Sequence, residues 1–223
     1  MKIMATLGSY TEHFIKGSSM WVVKIGGSLL GSPELERWLE IFVKYSDGNI
    51  ILVPGGGVFA DAVREAQKLT KISDACAHKL AVLAMDQFGL LLANMNPLLA
   101  TARTECEIDE RTWQHRAIVW LPSHMVFADD SIPQSWDVTS DSLAAWLAKK
   151  LNAKQLVLVK SDKPSANQLC LKRMALDGVV DEAFSDFMLN ANFGSWMLKK
   201  SDYEHFLQGV NTQTLSKVAS SVN

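Results

Sequence analysis

Short apolar runs alternate with longer amphipathic ones along this chain. Trp21 to Ile25 is an apolar run with a β-branched centre, interrupted only by Lys24 and closed by Gly26 and Gly27, which predicts a buried strand. Ser32 and Pro33 then stand at the N-cap and first position of a helix whose Leu35, Trp38, Leu39, Phe42 and Val43 share one face. Residues 50–53 repeat the strand pattern, end at Pro54, Gly55, Gly56 and Gly57, and lead into a helix over about residues 58–69. Strand, glycine turn and helix therefore occur twice.

Residues 74–94 are mostly apolar and rich in Ala, Leu and Met, so they predict a helix buried on more than one side, capped by Asp74 and ended before Pro97. Residues 117–121 and 156–159 are further strands, the second closing at Lys160, Ser161 and Asp162. Between them Ser140 caps a helix with Leu143, Ala144, Leu147 and Leu151 on one face. Residues 184–189 read as helix and 195–198 as strand, while the pattern from Tyr203 onward is mixed. This alternation predicts an α/β fold, a three-layer α/β/α sandwich around a mostly parallel sheet, with ligands at the carboxyl ends of the strands.

With 223 residues, 48% of them hydrophobic, the chain can fill one large core, and residues 20–223 are expected to form a single domain. Residues 1–19 are polar and irregular and read as a flexible leader, with Met20 a candidate natural start. Lysine and arginine number 22 against 24 acidic residues, a net charge of −2, so nothing in the composition attracts nucleic acid or an anionic membrane. No uninterrupted run reaches the roughly 18 to 20 apolar residues of a membrane span. The three cysteines, Cys76, Cys106 and Cys170, lack CxxC spacing, which argues against a zinc site or disulfide framework and fits a reducing cytoplasm.

Four stretches could carry chemistry. Lys24, Gly26, Gly27 and Ser28 set a cation before a turn with unobstructed N–H groups, which suits a phosphate, although two glycines also simply permit a tight turn. The lysine precedes the glycines, so the motif is not GxxxxGK[ST]. Gly55, Gly56, Gly57 and Ala60 match the GxGxxG/A dinucleotide fingerprint, but helix follows helix where that fold needs a strand ending in an acidic residue about 20 positions on. Asp137, Thr139 and Asp141 lie at a helix entry, where capping alone also favours such residues. Lys160, Ser161 and Asp162 end a strand, as an ordinary surface turn can. His78 lies within the helix predicted over residues 74–94, where a satisfied imidazole is the ordinary reading, and Trp136 beside Asp137 is a candidate pocket wall.

In this order, VVKIGGSLL at residues 22–30, LVPGGG at 52–57, WDVTSDSLAAWLA at 136–148 and LVLVKSD at 156–162 resemble the amino acid kinase family of acetylglutamate, glutamate, aspartate, uridylate and isopentenyl phosphate kinases. The resemblance implies an ATP-dependent kinase acting on a small-molecule acceptor, using Mg²⁺ as Mg·ATP and forming a homodimer. It implies that Lys24 neutralises charge on the transferred phosphoryl group and that Asp141 orients that lysine. Gly26, Gly27 and Ser28 would hold ATP phosphates, Lys160, Ser161 and Asp162 would line the nucleotide pocket, and Gly55, Gly56, Gly57, Asp137 and Thr139 would serve the acceptor. Phosphoryl transfer needs in-line positioning and preorganised positive charge, which agrees with these residue types.

The chain departs from many relatives in lacking a second catalytic lysine over residues 175–184, leaving Lys172 or Lys160 to substitute. Within the family, the WDVTSDS and AMDQFGLLLA segments look closest to kinases of (aminomethyl)furanmethanol phosphate, with Asp137 suited to the aminomethyl group. Rival readings are another acceptor of the family, a nucleotide-binding sensor without turnover, and a dinucleotide-dependent oxidoreductase built on Gly55 to Ala60.

Overall fold

A computed structural model describes residues 20–166 and 168–222. The leader expected over residues 1–19 lies outside the described residues. The chain runs β1 (Trp21–Ile25), a 3-10 turn (Gly27–Leu29), α1 (Pro33–Tyr45), β2 (Ile50–Pro54), α2 (Gly57–Thr70) and α3 (Asp74–Met95). It continues through β3 (Ala100–Ala102), α4 (Glu105–Trp113), β4 (Ile118–Trp120), α5 (Ser123–Phe127), α6 (Ser140–Lys150) and β5 (Gln155–Lys160). The last third holds β6 (Gln168–Leu169), α7 (Leu171–Leu176), α8 (Phe184–Met188), β7 (Gly194–Lys199), a 3-10 stretch (Lys200–Phe206), α9 (Thr212–Val218) and β8 (Ser220–Val222).

The eight strands form one sheet in the order β3-β4-β2-β1-β5-β7-β8-β6. Every neighbouring pair is parallel except β7 with β8. Strand side chains alternate between faces, and the alternation is complete in the central strands. Val22, Ile51, Val53, Leu156 and Leu158 enter one apolar cluster with Leu143, Ala144 and Leu147 of α6. Val23, Ile25, Leu52, Val157 and Val159 enter a second cluster with Leu35, Trp38 and Phe42 of α1. Both faces are thus covered by helices, and the three-layer α/β/α sandwich with a mostly parallel sheet is the observed fold.

α3 serves both clusters: Val82 and Met85 belong to the first, Phe88 and Leu92 to the second. By length and composition its 22 residues could cross a membrane. Here Ala77, Val82, Met85, Phe88 and Leu92 are buried in the fold, which accounts for the apolar content.

Helix starts differ from expectation in two places. Ser73, not Asp74, is the N-cap of α3, and its Oγ accepts from Cys76 N at 3.3 Å. Thr139, not Ser140, occupies the N-cap of α6, and its own side chain makes no capping bond. The short edge strand β3, helix α4 and the terminal strands β6 and β8 carry too few apolar residues in sequence to show a period.

Trp38 ties α1 to the C-terminal part of the fold. It is 1% exposed, donates from Nε1 to Lys200 O at 2.8 Å, and lies 5.2 Å from the Phe42 ring and 5.5 Å from the Phe206 ring, centroid to centroid. Trp38→Ala is expected to cost about 3–5 kcal/mol of stability, read as a lower urea midpoint; an unchanged midpoint would show that this contact carries no weight.

Candidate active site

The two glycine turns touch backbone to backbone. A Cβ on Gly27 would lie 2.3 Å from Gly57 N, and one on Gly55 would lie 2.5 Å from Gly27 N. Gly57 also has φ +54, a left-handed value that glycine adopts without a steric penalty. β1 and β2 are parallel neighbours in register, Ile25 opposite Pro54, so their following turns meet at the same end of the sheet. Gly26 N and Gly55 N bond back to Val159 O at 3.0 Å and Ile25 O at 2.9 Å, which pins both turns to the strands. The next N–H groups, at Gly27, Ser28, Gly56 and Gly57, open the 3-10 turn and α2, where first-turn donors lack helical partners and favour an anion.

Parity explains the charged cluster beside them. Lys24 follows Val22 on the face covered by α6, and Lys160 follows Leu156 and Leu158 on the same face of the adjoining strand, with Lys24 opposite Leu158. α6 brings Asp141 down onto both. Lys160 Nζ donates to Asp141 Oδ2 at 2.6 Å. Lys24 Nζ lies 2.9 Å from Oδ1 as an ion pair whose angle makes no hydrogen bond. Lys24 and Asp141 are only 5% and 4% exposed.

Burial alone would raise the Asp141 pKa, but the charges of Lys160 and Lys24 outweigh it and hold the carboxyl at about 2. Burial, reinforced by the Lys24 charge, lowers Lys160 to about 8 against the opposing pull of Asp141. Two ammonium groups share one carboxylate, leaving one positive charge over at the carboxyl ends of the strands.

The start of α6 is held from a distance. Asp181, between α7 and α8, accepts from Thr139 N at 3.0 Å, Thr139 Oγ1 at 2.8 Å, Ser142 N at 3.1 Å and Ser142 Oγ. This carboxylate does the capping that Thr139 and Ser140 do not, and it fixes the turn that carries Asp141. Burial and then the nearby Asp141 charge raise its own pKa, against these hydrogen bonds. No local pattern in the sequence points to Asp181, because a cap supplied 42 residues downstream has no fixed spacing.

A cavity of about 450 Å³ opens beside the turns, bounded by Gly27, Ser28, Gly56 and Gly57 on one side and by the α6 start at Thr139 and Ser140 on another. Arg64 of α2 also lines it, with its guanidinium 4.4 Å from the Trp136 ring centroid and 2.9 Å from Asp61 Oδ1. Trp136 Nε1 donates to Gln67 Oε1 at 2.7 Å, fixing the indole as the cavity wall. Nothing in the sequence sets Arg64 and Asp61 apart, because an i, i+3 ion pair on the exposed face of a helix is an ordinary surface feature.

The structure thus gathers Lys24, Gly26, Gly27, Ser28, Gly55, Gly56, Gly57, Thr139, Asp141 and Lys160 at one end of the sheet. Asp137 is exposed, with Oδ2 accepting from Ser135 Oγ at 3.1 Å, and does not line the cavity. Ser161 and Asp162 are exposed, and Asp162 pairs with Lys199 at 3.0 Å. Lys160, rather than the exposed Lys172, stands against Asp141. After Gly57 the chain forms α2 and α3 before β3, which ends at Ala102, so the acidic strand end of a dinucleotide fold is not there.

The three-layer sandwich, with two interlocked glycine turns and a lysine–aspartate cluster at one end of its sheet, is that of an α/β protein, and the chain belongs to the amino acid kinase family, whose family model matches residues 19–163. It is 33% identical over 140 residues to the (5-(aminomethyl)furan-3-yl)methyl phosphate kinase of Methanocaldococcus jannaschii. That match takes in 62% of this chain and 64% of the relative, a little under two thirds of its length. The fold is similar to the uridylate kinase of Archaeoglobus fulgidus, with a TM-score of 0.66 at 16% identity, covering 91% of this chain and 98% of that one. It is similar also to an aspartate kinase from Synechocystis, with a TM-score of 0.62 at 14% identity over 82% of this chain and 38% of that one. These structural likenesses establish the shared fold.

Because the folded Asp141 pKa lies below its ordinary 3.8, its contribution to stability is present above about pH 4 and is lost as pH falls toward 2. Asp141→Asn leaves the Lys24 and Lys160 ammonium groups facing each other largely out of water and is expected to cost about 3–5 kcal/mol near pH 6. Asp141 is also what holds Lys160 up at about 8, so in the variant Lys160 sheds its proton below that pH and the cost should shrink as pH rises toward 8. Urea melts at about pH 6 and pH 8 read both; equal stability of variant and parent at pH 6 would contradict the charge arrangement.

Proposed function

We propose that this protein is an ATP-dependent phosphotransferase whose acceptor is a small phosphate monoester bearing an amine, best represented by (5-(aminomethyl)furan-3-yl)methyl phosphate. The observation that carries the reading is the buried Lys24 and half-buried Lys160 sharing Asp141 beside two glycine turns. The similarity to the M. jannaschii kinase supports the choice of acceptor.

In this reading Mg·ATP is a substrate, its phosphates supplying the ligands of Mg²⁺. Gly26, Gly27 and Ser28 hold the ATP phosphates, with Lys160, Ser161 and Asp162 on the nucleotide side. The N–H groups of Gly56 and Gly57, with Thr139, take the acceptor phosphate, Gly55 shapes the turn that presents them, and the exposed Asp137 is an outer contact for the incoming acceptor. An acceptor phosphate oxygen attacks the γ-phosphorus; that P–O bond forms while the bond to the β-phosphate oxygen breaks, giving a diphosphate and ADP. Charge gathers on the transferred oxygens, and Lys24 and Lys160 meet it already oriented by Asp141.

The proposal takes residues 20–223 as one kinase domain working in the cytoplasm. It includes a homodimer, for which the exposed Leu80, Leu83 and Leu90 of α3 offer an apolar stripe.

The test is ADP release from Mg·ATP with the furan phosphate, acetylglutamate, glutamate, aspartate, UMP and isopentenyl phosphate as acceptors. Turnover of the furan phosphate above all others is expected, and Lys24→Ala should lower kcat at least about 100-fold while still melting cooperatively. Selective turnover of another acceptor would reassign the pocket. Binding of Mg·ATP with no ADP from any acceptor, or full activity in Lys24→Ala, would overturn the mechanism.

A further inference from the structure

His78 is a buried side chain that nothing in the phosphoryl-transfer apparatus uses. It sits on α3, 3% exposed, and lines the same cavity as the glycine turns. Ala81, Val82 and Met85 line it too, so residues 78, 81, 82 and 85 present one helical face at i, i+3, i+4 and i+7 to the cavity.

The imidazole's state follows from its neighbours. Nδ1 lies 2.9 Å from Ser135 O, and a carbonyl oxygen only accepts, so Nδ1 carries the hydrogen. Burial lowers the ring's pKa, against the opposing pull of the Ser135 and Val138 carbonyls, and so favours the neutral form. Nε2 is then a bare lone pair, and it has no hydrogen-bond partner in the protein. A buried acceptor without a donor costs stability unless a ligand or water completes it.

The other polar groups of the cavity are differently committed. Asp61 is engaged by Arg64, Trp136 Nε1 is spent on Gln67, and the glycine and Ser28 N–H groups are donors suited to an anion. Among the cavity-lining residues, His78 Nε2 is the unengaged buried acceptor, surrounded by the apolar side chains of α3.

We propose that His78 Nε2 accepts a hydrogen bond from the primary ammonium group of the phosphoryl acceptor, making His78 a specificity-determining residue that selects an amine at the end of the molecule remote from its phosphate. The inference rests on the acceptor reading given above. It assigns to His78 the recognition of the amine for which Asp137 was the sequence candidate.

The experiment compares (5-(aminomethyl)furan-3-yl)methyl phosphate with its 5-ethyl analogue, which replaces the ammonium by a methyl group of similar size. The parent protein should favour the amine by tenfold or more in kcat/KM, on the order of what one charge-assisted hydrogen bond discriminates. His78→Asn keeps a donor for Ser135 O but places nothing at Nε2. It should bring the ratio near one, chiefly by raising KM for the amine, with KM for Mg·ATP unchanged. His78→Gln, which returns an oxygen near the Nε2 position, should recover part of the preference.

Nitrogen-15 NMR of the unmutated imidazole gives a reading that needs no variant: the Nε2 resonance should move when the amine acceptor binds and stay put with the ethyl analogue. An unchanged amine preference in His78→Asn, or an Nε2 resonance indifferent to the amine, overturns the proposal while leaving the kinase reading intact. No turnover of either furan phosphate by the parent protein overturns the acceptor reading, and this inference with it.

Discussion

Asp141 holds two lysines on one carboxylate, Lys24 buried and Lys160 half-buried, at the carboxyl ends of adjacent strands, and the rest of the site is arranged around that contact. An ammonium group moved from water into a protein interior costs several kcal/mol unless it is paired. One carboxylate cannot neutralise two such groups, so the cluster retains a positive charge that an incoming polyphosphate can complete. The parallel register of β1 with β5 sets Lys24 and Lys160 on one face of the sheet. Asp181 then holds the first turn of α6 from outside the helix so that Asp141 meets both.

Beside this cluster the two glycine turns make a surface that side chains would destroy. Gly27 and Gly55 approach so closely that a methyl group on either would overlap the backbone of the other turn. The outcome is a patch of backbone donors next to the lysine cluster, with the cavity framed by Arg64, Trp136 and α3 on its other side. Donors and cations attract phosphate, while the α3 face offers apolar contact and one bare nitrogen. An acceptor with a phosphate, an apolar body and an amine matches that division of labour.

Much of this was legible in the sequence, for definite reasons. Buried parallel strands are short apolar runs, so a lysine inside one, as at Lys24, stands out at once. The glycine turns follow directly from such runs, and the helix period of α1 and α2 shows in their buried Leu35, Trp38 and Phe42 or Ala60. The same two-residue period that puts Lys24 under α6 also puts Lys160 there, so their meeting could have been inferred once β1 and β5 were known to be neighbours. Strand order, however, is not written in any local pattern, so the sequence offers Lys160 both as part of a nucleotide-lining turn and, beside Lys172, as a substitute second lysine. Asp181 was invisible because its partners, Thr139 and Ser142, lie about 40 residues away. His78 looked like an ordinary buried histidine, and only the commitment of Nδ1 to Ser135 O exposes the unpartnered Nε2.

The account's central claim is that an only partly neutralised lysine pair exists to receive phosphate charge. The most direct measurement is a proton titration of the lysine Nζ groups by nitrogen-detected NMR, with and without a bound non-hydrolysable Mg·ATP analogue. The prediction is that Lys160 titrates near pH 8 in the free protein, below the ordinary lysine value of 10.5, and shifts upward when the phosphates arrive. A Lys160 that titrates at the ordinary value and ignores the nucleotide would contradict it.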